Sequence, residues 1–110
     1  MTDLDTVAQT AAGAVLAPLR ERLDAIDRQI LELVVRRMEI CLDIARLKAE
    51  RGIPMMQSSR VELVVGRART YALAHHLPAD YLGDLFTRII EETCAQEDNL
   101  IERLKVDRQP

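Results

Sequence analysis

The chain has no tryptophan, one phenylalanine and two tyrosines, so aromatic residues make up 3% of its 110 positions. β-Branched runs and alternating apolar patterns are equally scarce, and little in the sequence asks for a sheet. Its two cysteines, Cys41 and Cys94, stand far apart among apolar residues. That argues against a disulfide framework or a metal cluster and for two reduced, buried thiols in a cytoplasmic protein. There is no basic excess: 15 Lys and Arg face 18 Asp and Glu, for a net charge of −3, which speaks against a nucleic-acid binder or a membrane-surface protein. No apolar run is long enough to span a bilayer. The first residues carry Asp3 and Asp5 with no basic region, unlike a secretory leader. What is present, 48% hydrophobic and 30% charged residues, is the composition of a single soluble, helix-rich domain.

From Leu19 to Arg51 there is neither Gly nor Pro. Apolar residues fall at Leu19, Leu23, Ile26, Ile30, Leu33, Ile40, Ile44 and Leu47, alternating four and three apart in a heptad seam. The spacing predicts a long first helix that starts near Pro18 and stops around Gly52. At ~1.5 Å per residue it is a rod of about 50 Å, longer than the roughly 35 Å diameter of a compact domain of this size. Its exposed seam then needs a partner, and a dimer of packed long helices is expected. After the loop Gly52–Ser58, the run Ser59-Arg60-Val61-Glu62 reads as a capping box with Ser59 at the N-cap. It opens a second helix to about Ala74, with Val61, Val64, Val65 and Ala68 on its apolar side. Pro78 opens a third, through Leu82, Phe86, Ile90, Ile101 and Leu104 to about Lys105. The fold class is all-α, with three helices per chain in an intertwined homodimer. Residues 1–15 form an N-terminal extension whose order the sequence leaves open, 16–105 the helical domain, and 106–110 a tail.

Arg37 is the one residue that breaks the seam. A charge there costs several kcal/mol unless it is paired; the partner is either a carboxylate, Glu97 or Glu39, or a ligand. Lys48 follows eleven positions later, close to three full turns, so it shares a face with Arg37 with Cys41 and Ile44 between them. Their Cα atoms are about 16 Å apart along the rod, within reach of one small anion, though Lys48 also suits a solvated helix end. Arg60 lies in the first turn of the second helix, where free N–H groups favour an anion, or is simply exposed. Arg20, about 25 Å up the rod from Arg37 and roughly 100° around it, meets the same ligand only from an antiparallel partner; otherwise it is a surface charge. Thr93 and Glu97, four apart, face one way on the third helix. The structural alternatives are a Thr93 hydroxyl bonded back to a helix carbonyl and a Glu97 paired with Arg37 or Lys48. Together these residues suit a small dicarboxylate. His75-His76 point in different directions with no further ligand at metal spacing, and read as a polar helix end. No nucleophile with its base, phosphate loop or dinucleotide fingerprint is present.

The stretches Leu19-Arg20-Glu21, Ile26-Asp27, Arg36-Arg37-Met38-Glu39, Lys48, Ile53-Pro54, Arg60, Ala74-His75-His76-Leu77 and Leu85-Phe86 to Glu92 give the chain, from about Leu16 to Leu104, a second reading. In that order and spacing it resembles the all-helical class of chorismate mutases. The resemblance implies a homodimer of three-helix chains with two active sites, each using one residue from the partner's long helix. Arg37 and Arg60, with Arg20 from the other subunit, would hold the two carboxylates of the substrate, and Lys48 and Glu97 would flank the ether oxygen whose bond breaks. The implied reaction is the [3,3] rearrangement of chorismate to prephenate, which needs no cofactor and no metal. Three positions depart from the pattern. Glu97 replaces a Gln beside the ether oxygen, and a carboxyl donates a hydrogen bond there only when protonated, so the rate is expected to decline toward alkaline pH. Gln57 and Val61 replace two acids at the C4 substituent, which points to 4-amino-4-deoxychorismate as the substrate. An isochorismate-pyruvate lyase on the same fold, or a non-catalytic helical dimer, are the alternatives.

Overall fold

The computed structural model describes residues 2–54 and 58–107. Three helices follow in order, α1 (Thr2–Arg51), α2 (Ser58–Ala74) and α3 (Ala79–Asp107), so the all-helical class with a long first helix is what the chain adopts. The start of α1 differs from expectation, because the helix begins at Thr2 and Pro18 lies inside it. Pro18 lacks an N–H and strains the preceding turn, at about 3 kcal/mol in a helix interior. Ala11, Ala12, Ala14 and Ala17 ahead of it are the strongest of helix formers, and the proline is exposed. The start of α2 also differs. Ser58 is already helical, which puts Ser59 within the first turn instead of at its cap. The helix ends at Ala74 as expected, and α3 begins one residue after Pro78 and runs two past Lys105.

Both internal helix ends are closed in the same way. Gly52 takes the left-handed conformation (φ 66°), and the Ile53 N–H donates to the Lys48 carbonyl at 2.9 Å, the 6→1 bond of a Schellman cap. At the end of α2 the Leu77 N–H reaches the Ala72 carbonyl at 2.8 Å and the His76 N–H the Leu73 carbonyl at 3.2 Å. There the left-handed residue is His76, with φ 61°. A side chain in that conformation costs about 1–2 kcal/mol, and glycine relieves it at some cost in unfolded-chain entropy. His76→Gly is therefore expected to raise stability by about 1 kcal/mol. Urea unfolding at fixed protein concentration checks this, and an unchanged or lower midpoint would count against it.

The chain divides into two compact units, Met1–Arg37 and Met38–Pro110. In the second, α2 packs on α3 through small residues: Ala68 and Ala72 are buried, as are Gly83 and Leu100. Val61, Val64 and Val65 are half-buried on the same side, which is the apolar face expected of α2. Gly83 is needed where it stands, since a Cβ there would lie 2.8 Å from Cγ of Arg69. The Arg69 stem lies over that glycine and its guanidinium pairs with Asp80. On α3 the covered line runs through Leu82, Phe86, Ile90, Thr93, Glu97, Leu100 and Leu104, so the two polar members occupy the apolar face. The α1 seam is different: all eight of its apolar residues are exposed, with Leu23 at 56% and Ile40 at 57% of their full accessibility. Among the described residues no helix is long and apolar enough to cross a membrane.

Candidate functional site

The seam arginine is better covered than the seam. Arg37 is half-buried in α1 while Leu33 and Ile40 on either side are each 57% exposed. Arg20, seventeen residues earlier on the same helix, is exposed. Both belong to the first unit. In the second unit Lys48 is half-buried in the last turn of α1, ahead of the Gly52 cap. Arg60 is exposed in the first turn of α2, and Val61 beside it is half-buried. Gln57 lies outside the described residues. Thr93 is buried at 5% exposure, and its hydroxyl donates to the Ile89 carbonyl at 2.8 Å. That bond satisfies the hydroxyl proton. Glu97, one turn further, is half-buried. Arg37, Cys41, Lys48, Thr93 and Glu97 each engage in a polar or electrostatic interaction, as a charge or thiol in partial burial requires.

Cys94 shows what the fold brings together in the second unit. Burial pushes its thiol above the ordinary range, the negative fields of Glu97 and Asp98 and the neighbouring Cys41 push the same way, and Lys48 acts in opposition. One side chain on α3 thus senses Lys48 and Cys41 from α1 together with Glu97 from its own helix. Cys41 and Cys94 are each half-buried instead of fully buried. Cys41 and Lys48 are seven apart on one face of α1, and Cys94 and Glu97 three apart on one face of α3.

Other polar features serve the helices. The Tyr71 carbonyl lies 2.9 Å from Nδ1 of His75, whose ring stacks on that of Tyr71 with centroids 4.2 Å apart. With His76 in the cap, the histidine pair finishes α2. Glu92 accepts from Gln96 at 3.0 Å, and chiefly that bond, opposed by desolvation and aided by Arg88, holds its carboxyl below the usual range. It is an exposed i, i+4 ladder of the kind that supports a helix locally. An open groove of about 700 Å³ runs along α2 between Glu62, Leu63, Gly66, Arg67, Thr70, Tyr71 and Ala74. None of these is an expected site residue.

Residues 19–98 of this three-helix chain match the family model described as chorismate mutase type II, a class of all-helical isomerases. The chain is 44% identical over 88 residues to the 4-amino-4-deoxychorismate mutase of Streptomyces venezuelae, covering 80% of this chain and 85% of that one. To the 4-amino-4-deoxychorismate mutase of Streptomyces pristinaespiralis it is 42% identical over 91 residues, with 83% and 70% covered. To the chorismate mutase of Methanocaldococcus jannaschii it is 29% identical over 87 residues, with 79% and 88% covered. The chain belongs to the chorismate mutase type II family and is an isomerase of the chorismate mutase kind.

Proposed function

We propose that this isomerase is a 4-amino-4-deoxychorismate mutase, converting 4-amino-4-deoxychorismate to 4-amino-4-deoxyprephenate. The observation that carries this reading is the gradient of similarity: 44% and 42% identity to two proteins of that name against 29% to a chorismate mutase. Gln57 and Val61 support it, since they stand where the family resemblance places acids at C4. Gln57 accepts a hydrogen bond from an amine, while Val61 gives the C4 side an apolar wall.

The working unit is a homodimer. Eight half-exposed aliphatic residues on α1, each gaining up to about 1.5–3 kcal/mol on full burial, supply the driving force for pairing two long helices. In that dimer Arg20 of one subunit completes the site of the other. Arg37 and Arg60 hold the carboxylates with it, through the forked contacts that guanidinium groups make best. Lys48 and Glu97 flank the ether oxygen, with Thr93 beneath them. The reaction has no covalent intermediate, so the protein's contribution is to select the reactive conformer and to stabilise negative charge growing on that oxygen. The place of work is the cytoplasm, where Cys41 and Cys94 stay reduced.

Steady-state kinetics on the purified protein with both substrates tests the reading. The expected result is a kcat/KM at least about tenfold higher for 4-amino-4-deoxychorismate, the equivalent of ~1.4 kcal/mol in transition-state binding. A preference for chorismate would refute it, and salicylate with pyruvate as products would mark a lyase instead.

A further inference from the structure

We propose that the groove on α2 seats the same groove of a second copy, so that two catalytic dimers associate through α2 into a four-chain assembly. This surface is separate from the α1 seam, and none of its residues has been placed in the substrate site.

α2 has two opposite faces. Ala68 and Ala72 are buried where the helix packs on α3, whereas Glu62, Leu63, Gly66, Arg67, Thr70 and Tyr71 are all exposed and line the open groove of about 700 Å³. Nothing in the chain's own fold accounts for Gly66. A Cβ there would meet no atom within 4 Å, in contrast to Gly83, and glycine costs a helix interior more than any residue but proline. Its missing side chain instead leaves a floor that another helix can approach closely. The walls are apolar and open to water, with Leu63 at 45% and Tyr71 at 61% exposure. Leu63, Arg67 and Tyr71 recur every four residues as a ridge, and Gly66 and Thr70 form the furrow beside it. Ridge into furrow at that spacing is the commonest packing of two helices, crossing at about 50°. Charge then selects the occupant. Glu62 and Arg67 are about 140° apart around the helix, on opposite flanks of the groove, and among the described residues neither has an ion pair within its own chain. A two-fold axis running along the helix pair carries the Glu62 of each copy to the Arg67 of the other, so the patch is complementary to itself. A partner of one charge would match only half of it.

Sedimentation equilibrium of the purified protein tests this. A single helix-on-helix contact is small among interfaces, so the mass is expected to rise from two to four times the 12.5 kDa chain as the concentration passes through about 10–100 μM. Gly66→Leu fills the floor with a residue that favours helix, and is expected to stay at two chains throughout with kcat per chain unchanged. Glu62→Lys and Arg67→Glu each set like charges against one another and should weaken the association at least about tenfold. An equal mixture of the two variants should regain it, because each then meets its complement across the two-fold. Wild-type protein that stays at two chains overturns the proposal, as does a mixture that associates no better than its components. Gly66→Leu falling to single, inactive chains would put the groove inside the catalytic dimer and overturns it equally.

Discussion

Replacing Lys48 with methionine is expected to lower kcat by about 10²- to 10³-fold, the loss that follows removal of one charge-stabilising donor from a transition state. Methionine keeps the length and apolar stem of lysine and removes only the ammonium, so the half-buried last turn of α1 and the cap formed by Gly52 and Ile53 should persist. The loss should fall on kcat more than on KM, because charge on the ether oxygen develops as the bond breaks and is small in the bound substrate. Arginine at the same place keeps the charge but spreads it over a larger, rigid fork, so Lys48→Arg should recover only part of the rate. Circular dichroism guards against a folding defect, and a fall of less than about tenfold in kcat for a folded Lys48→Met protein would remove Lys48 from the ether oxygen.

Arg20→Ala and Arg60→Ala homodimers are each expected to be about 10²-fold or more below wild type in kcat/KM, and to regain activity when mixed. The reasoning is a count of sites. A site built from Arg60 of one chain and Arg20 of the other is damaged in both homodimers. In the mixed dimer one site carries both lesions and the second carries neither. Random exchange makes about half the dimers mixed, each with one of two sites whole, so recovery should approach about one quarter of wild-type activity. Unfolding and refolding the mixture, then assaying against each homodimer treated alike, gives the comparison. Activity that stays at the level of the single variants would place Arg20 and Arg60 in the same subunit's site or outside the site altogether.

Much of the fold was legible because α1 between Leu19 and Arg51 repeats its apolar spacing with a single break at Arg37, and because Gly52 and Pro78 punctuate the chain in the ordinary way. Two ends were misread for the same physical reason: a local marker was given more weight than its surroundings. Pro18 has the chemistry of a helix start, yet an alanine-rich stretch before it carries the helix to Thr2. Ser59 has the chemistry of a cap, yet the helix is already formed at Ser58. These polar members of the proposed site were visible because each intrudes on an apolar pattern: Arg37 on the seam, Thr93 and Glu97 on the covered line of α3. Cys41 was legible as lying between Arg37 and Lys48 on one face of α1, whereas the electrostatic reach of Lys48 and Cys41 to Cys94 on α3 is a tertiary fact that spacing does not show. Gly83 was silent for a similar reason, since only the stem of Arg69 beside it explains why it must lack a side chain.

The exposed seam also bears on how much of the chain is folded in a cell. Among the described residues only Ala45, Ala68, Ala72 and Leu100 are buried hydrophobic side chains, a core too slight to oppose the entropy of ordering so long a chain. In the proposed homodimer, whose subunits complete one another, acquiring structure and acquiring a partner would be a single mass-action equilibrium, with the folded fraction set by how much protein is made. Dilution of such a dimer would remove structure and activity together, and a cell would set its effective dose more steeply than in proportion to its expression.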